Sequence, residues 1–281
     1  AGGGRAGTAS GSVTLGGNGA TGDAGNVSLN LAADGGNGSI ITTGAQSPAF
    51  VLQSVGGGGG LVFPSTDTSS GDLLLGGGTE GTQGSGGVIS FTAGGNSAIT
   101  TTGTGSSGLS YQTIGGGGGY TGSTSANAQL GGLYRGISSG ADLKINSQID
   151  AATNGTDAAA LMLQSIGGGG GRVGDVGSNA NLGGTSGILG TPDGSGGSIE
   201  FTIDSNLTSA GDRGAGAIIQ TIGGGGGLAG AVGNNASLGG LGLGDRNAGN
   251  LTITVNNTVG SGGSNAPGLI VQTIGGGGGS V

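Results

Sequence analysis

The chain of 281 residues contains no cysteine, no histidine and no tryptophan. Without cysteine there is no disulfide framework. Without cysteine and histidine there is no zinc site of the Cys/His type and no Ser-His-Asp or Cys-His nucleophile. Aromatic residues are scarce, with four Phe and three Tyr. That disfavours a thick core built on aromatic anchors and suits a thin aliphatic core drawn out along an axis. Only four prolines accompany 81 glycines, and the glycines follow no three-residue period, which excludes a collagen-like helix. Charge is sparse at 7%, and it is lopsided: 14 acidic against six basic residues, for a net charge of −8. An acidic chain is a poor partner for nucleic acid or an anionic membrane. No apolar run approaches the roughly 18–20 residues that span a bilayer, so no membrane insertion by this segment is expected. The opening Ala1-Gly2-Gly3-Gly4 carries no leader pattern and reads as the middle of something. Disorder is disfavoured as well, because Val, Ile and Leu are clustered in short alternating runs.

What the chain has in abundance is repetition. The phrase QTIGGGGG occurs at Gln112–Gly119, Gln220–Gly227 and Gln272–Gly279, with the variants QSVGGGGG at Gln53–Gly60 and QSIGGGGG at Gln164–Gly171. The five glutamines are 59, 52, 56 and 52 residues apart. A Leu-Gly-Gly recurs at Leu15, Leu75, Leu130, Leu182 and Leu238; the last three leucines each fall 11 residues beyond a glycine tract. A period of this size marks a repeat architecture. One continuous array over 1–281 is expected, with repeats 1–60, 61–119, 120–171, 172–227 and 228–279.

Three apolar segments recur within each repeat. The first alternates with period two, as in Val27-Leu29-Leu31 and Ile199-Phe201-Ile203, the mark of a half-buried strand. The second is short and often threonine-rich: SIITTG, AITTTG, SQID at Ser147, NLTSAG and NTVGSG. The third runs into the glycine tract, as in AFVLQSV and ALMLQSI. Gly, Asn, Asp and Ser clusters punctuate the gaps, and no segment has helical periodicity with caps. The expected fold is all-β: a glycine-rich β-solenoid resembling a parallel β-helix. Three strands make a coil of roughly 30 residues. The remaining 20–25 or so form either a second glycine-rich coil or an arm beside the first, and the two alternatives differ in axial rise.

Stacked rungs place equivalent residues in columns about 4.8 Å apart. Gln53, Gln112, Gln164, Gln220 and Gln272 can then form an amide ladder. The tract glycines, represented by Gly56, Gly115, Gly167, Gly223 and Gly275, would stack where backbone packs on backbone too closely for any Cβ. A flexible hinge is the competing interpretation. Hinges tolerate drift in length, however, and the tract is five residues long in every internal copy.

A strand, a threonine-containing segment and then A-I-x-x-Q-[ST]-I-G-G-G-G-G together resemble the passenger domains of large Gram-negative autotransporters. Through its repeats the resemblance covers essentially the whole chain. It implies a β-helical array that is extracellular or held at the bacterial cell surface, with adhesin-like or matrix roles. The chain would then be a passenger fragment.

Catalysis is not expected. The acidic residues are scattered and mostly in turn-like contexts, such as Asp34, Asp67, Asp193, Asp212 and Asp245. No cofactor is implied, and calcium is a weak candidate because no ligand row repeats. Tyr134 and Arg135 depart from the repeat and form a candidate contact site. The leading expectation is a rigid stalk or self-associating filament, whose partner is another copy of itself or the continuation of a longer array. The alternative is an adhesin that binds a host protein or glycan through the variable segments Leu61–Leu73 and Leu133–Gly140.

Overall fold

The structure, a computed structural model, describes residues 4–9, 12–16, 22–31, 38–64, 68–76, 84–95, 97–131, 138–183, 194–239 and 247–281. Among these the chain is all-β, with no helix. Each repeat contributes one strand to each of five parallel sheets, so one repeat is one rung; sheet I gains a sixth strand at Gly279–Ser280, and a short sixth sheet pairs Thr68–Ser69 with Ser123–Thr124.

In chain order, sheet I comprises Gly4–Ala9, Gly60–Pro64, Gly119–Thr121, Gly171–Val173, Gly227–Ala229 and Gly279–Ser280. Sheet II comprises Val13–Leu15, Leu73–Leu75, Ala128–Leu130, Ala180–Leu182 and Ala236–Leu238. Sheet III comprises Val27–Leu31, Ile89–Ala93, Leu143–Ser147, Ile199–Ile203 and Leu251–Val255. Sheet IV comprises Ser39–Thr42, Ala98–Thr101, Asp150–Thr153, Leu207–Ser209 and Val259–Ser261. Sheet V comprises Phe50–Val55, Leu109–Ile114, Leu161–Ile166, Ala217–Ile222 and Leu269–Ile274. A strand pairs only with its counterparts in adjacent repeats, as Gln112 does with Gln53 and Gln164.

Two lobes share each rung. Sheets III, IV and V enclose the larger core, where Phe91, Phe201, Leu143, Leu163 and Ile219 meet. Phe50, Phe91 and Tyr111 form a tilted aromatic cluster there, with ring centroids 5.2–5.8 Å apart. Sheets I and II close on a smaller aliphatic core containing Val62, Leu75, Leu130, Val173 and Leu182. Sheet V is the shared wall. Leu161 and Leu163 face the large core, whereas Met162 packs on Leu61 and Tyr120 of sheet I. Burial on both faces is why this segment reads as a continuous apolar run and sheet III reads as an alternating one.

Two features depart from the three-strand reading. The stretch from the glycine tract through Leu-Gly-Gly is an arm beside the main coil, and it supplies two further strands per rung. Rise per repeat is therefore a single strand spacing of about 4.8 Å. The second segment of repeat three is Asp150–Thr153, set three residues beyond SQID at Ser147. That register aligns Thr153 with Thr101. The hydroxyls of Thr42, Thr101 and Thr153 each donate to a carbonyl five residues on, at 2.7, 2.5 and 3.0 Å, closing the turn into sheet V. This turn chemistry, more than strand propensity, sets the register.

Candidate functional site: the glutamine and glycine seam

Every part of the Q-[ST]-[IV]-GGGGG phrase has a separate physical task. The glutamine column is continuous. Nε2 of Gln53 donates to Oε1 of Gln112 at 2.7 Å, and the chain of bonds runs on to Gln164 (2.6 Å), Gln220 (2.9 Å) and Gln272 (2.7 Å). Gln112, Gln164 and Gln220 are fully buried. Each such bond adds about 1 kcal/mol net, but an amide left without a partner in this site would cost about 1–3 kcal/mol. The ladder therefore enforces register more strongly than it adds stability.

The hydroxyl residue that follows is a clip between sheet V and the extended segment leading into sheet III. Ser165 Oγ donates to the Ala141 carbonyl at 2.9 Å and accepts the Gly197 N–H at 2.7 Å. Thr221 repeats the arrangement with Gly197 and Gly249, at 2.8 and 2.9 Å. One hydroxyl thus joins two successive rungs, a task that needs a donor and an acceptor on a short side chain. The β-branched residue next in line stacks with its own kind: Val55, Ile114, Ile166, Ile222 and Ile274 form a column of their own.

The glycines are needed for two different reasons. At the start of the tract the constraint is space. A Cβ added to Gly115 would stand 2.8 Å from the backbone of Ser138 and Ser139, and one on Gly167 would stand 2.7 Å from Ser195. At the end of the tract the constraint is the backbone. Gly169, Gly170 and Gly171 have φ of 151°, 104° and 123°, and the last three glycines of the tracts ending at Gly119, Gly227 and Gly279 match them, whereas in the first tract only Gly59 and Gly60 do. Side chains of L-residues are excluded from that region.

Hydrogen bonds leave the tract in two directions. Gly167, Gly168 and Gly171 donate to the next rung, to the carbonyls of Ile222 (2.8 Å), Gly223 (2.8 Å) and Gly226 (3.0 Å). Gly170 donates sideways to the Leu130 carbonyl of sheet II at 2.9 Å. Gly223 accepts from Gly168 and Gly275 from Gly224, each at 2.8 Å, so the same pattern reaches the fifth rung. The tract is the seam where the two lobes meet, with Leu-Gly-Gly on one side and the extended segment before sheet III on the other. Closely packed backbone pairs its polar groups there without any side chain.

The other candidate, Tyr134 with Arg135, lies outside the described residues, as does part of the segment Leu61–Leu73. A charged cluster that sequence reasoning missed lies instead on the turn between sheets IV and V. Asp157 and Arg213 occupy equivalent left-handed turn positions, φ 59° and 54°, one rung apart. Arg213 makes a two-pronged bond to Asp157, Nε to Oδ1 at 3.0 Å and Nη2 to Oδ2 at 2.7 Å. Arg213 Nη2 also lies 3.5 Å from Asp175. Its hydrogen bond to Asp157 raises the Arg213 pKa above the usual guanidinium value. Arg172 stands over the ring of Tyr120, 5.6 Å from its centroid, and its side chain is only 9% exposed. Burial holds the Tyr120 phenol above its ordinary pKa. The signal available in the sequence was the first residue after each tract, Leu61, Tyr120, Arg172, Leu228 and Ser280, where polar and aromatic residues interrupt an apolar column. Among the described residues no three Asp or Glu side chains gather as a metal site would require.

No protein-family model, curated protein or solved structure matches the chain.

Proposed function

We propose that this chain is a non-catalytic structural segment of an extracellular bacterial surface protein, as the autotransporter resemblance implies, and that it extends by adding rungs edge to edge. One observation carries this reading: sheets II to V keep an unchanged register through all five repeats, and sheet I departs from it only between Ala6 and Ala9 of its first strand, so the joint between repeats three and four is the joint a further rung would use. The outer edge of the fifth rung is prepared for it. Leu269 and Val271 are 41% and 44% exposed, whereas Leu161 and Leu163 at the same positions in the third rung are fully buried. Apolar, in-register strand edges are templates for pairing. The covering rung comes from another copy of the chain or from further repeats of a parent array.

A rung consumes more than fifty residues for a rise of about 4.8 Å, and five rungs span only about 20–25 Å. The design invests in width and in bonds per rung, which suits a stiff filament better than a slender spacer. Concentrating the 281-residue chain and imaging it by electron microscopy tests the reading. Unbranched fibres with a meridional reflection near 4.8 Å are expected, and the double variant Leu269→Lys with Val271→Lys abolishes them. A chain that stays monomeric at every concentration, with both edges intact, contradicts assembly between copies.

A further inference from the structure

From the wedge between the two lobes we infer a second site: a lateral groove that binds a neutral, polyhydroxylated ligand of the carbohydrate class. In the first three rungs the wedge between sheets I and V is filled by Val51, Leu61, Tyr120 and Met162. Beyond Arg172 the filling side chains become smaller, down to Ser280, and a cavity of about 770 Å³ opens across the third, fourth and fifth rungs. Ile218, Leu228 and Ile270 form its apolar floor. Asp157, Arg172, Asp175 and Arg213 all line it.

The chemistry of these groups selects the ligand. Two carboxylates and two guanidiniums sum to zero charge, so the groove favours neither an anion nor a cation. What it presents is a mixture of donors and acceptors above aliphatic carbon. Arg172 has an unmet need: its Nη1 is buried and has no hydrogen-bond partner. Its Nη2 has only a 3.4 Å bond to the Arg213 carbonyl and a 4.0 Å approach to Asp157. A buried guanidinium N–H without an acceptor is costly, and a ligand oxygen that reached it would remove that cost. A sugar hydroxyl accepts from a guanidinium and donates to a carboxylate at once, and the C–H face of the ring packs on aliphatic side chains.

The test titrates the full chain by calorimetry with maltotriose, cellotriose and chitotriose as neutral probes and trigalacturonic acid as the acidic one. At least one neutral trisaccharide is expected to bind. Arg172→Met is expected to weaken it at least about tenfold, because it removes the unpaired donor. Ser280→Tyr, at an exposed edge position in the column that holds Tyr120, is expected to block the groove without touching the inner rungs. Absence of binding by every neutral probe at millimolar concentration overturns the proposal. So does binding that survives both substitutions, and so does a preference for trigalacturonic acid.

Discussion

The large lobe and the glycine seam hold the same rungs together by opposite means. In the large lobe the contacts are made by side chains, and the columns are chemically loose. One column reads Leu29, Phe91, Ile145, Phe201, Ile253, so neighbouring rungs trade volume with one another. In the seam the contacts are made by backbone, and inner positions such as Gly115, Gly167 and Gly170 permit nothing but glycine. A core of side chains can absorb a change by repacking, because volume is shared. Main chain stacked on main chain has nothing to yield, because both the spacing and the positive φ are properties of the fold itself. The difference separates two kinds of repetition: apolar character recurs in the lobe, and residue identity recurs in the seam.

Substitutions that move between these regimes sharpen the contrast. The largest effect is expected at Gly170→Ala, where φ is 104° and the new Cβ would press on the Gly226 backbone. Left-handed strain and the collision together should cost more than about 3 kcal/mol, read as a lowered urea midpoint or a failure to fold. In the large lobe, Leu163→Ala opens a cavity among fully buried neighbours and should cost about 2–5 kcal/mol by the same denaturation assay. A smaller loss, about 1–3 kcal/mol, is expected for Gln164→Leu, which leaves the Gln112 donor and the Gln220 acceptor unpaired. Rescue by Gln112→Leu in the same chain would not be complete, because Gln53 then loses its partner in turn. The smallest effect belongs to Gly276→Ala, a tract glycine in the fifth rung. Nothing lies within 4 Å of its would-be Cβ, and a change within about 0.5 kcal/mol is expected. If Gly276→Ala and Gly170→Ala cost the same, the seam argument fails at its root.

The period, the solenoid class and the columns were legible because stacking repeats the same physical demand at the same position. The strand of sheet III announced itself by alternation at Ile199, Phe201 and Ile203. The arm was harder to read. Its strands are only three residues long in sheet II, and Leu73 and Leu75 alternate too briefly to stand out among glycines. The tract itself masked its own final glycine, which is already the first residue of the next strand, as at Gly171–Val173. The hydroxyl clip was visible only as a choice between Ser and Thr. Its partners, Ala141 and Gly197, lie 24 residues before and 32 after Ser165, beyond the reach of any local pattern. The charged cluster was hidden for a similar reason: Asp157, Arg172, Asp175 and Arg213 come from two rungs and both lobes.

Amide hydrogen exchange across the third rung tests the ordered seam most directly. Gly167, Gly168, Gly170 and Gly171 donate bonds of 2.8–3.0 Å, and the account predicts that they exchange as slowly as the amides of Leu161–Ile166, through the same global opening. Exchange of those four glycines at the rate of an unstructured peptide, beside a protected sheet V, would show a loose hinge and contradict it.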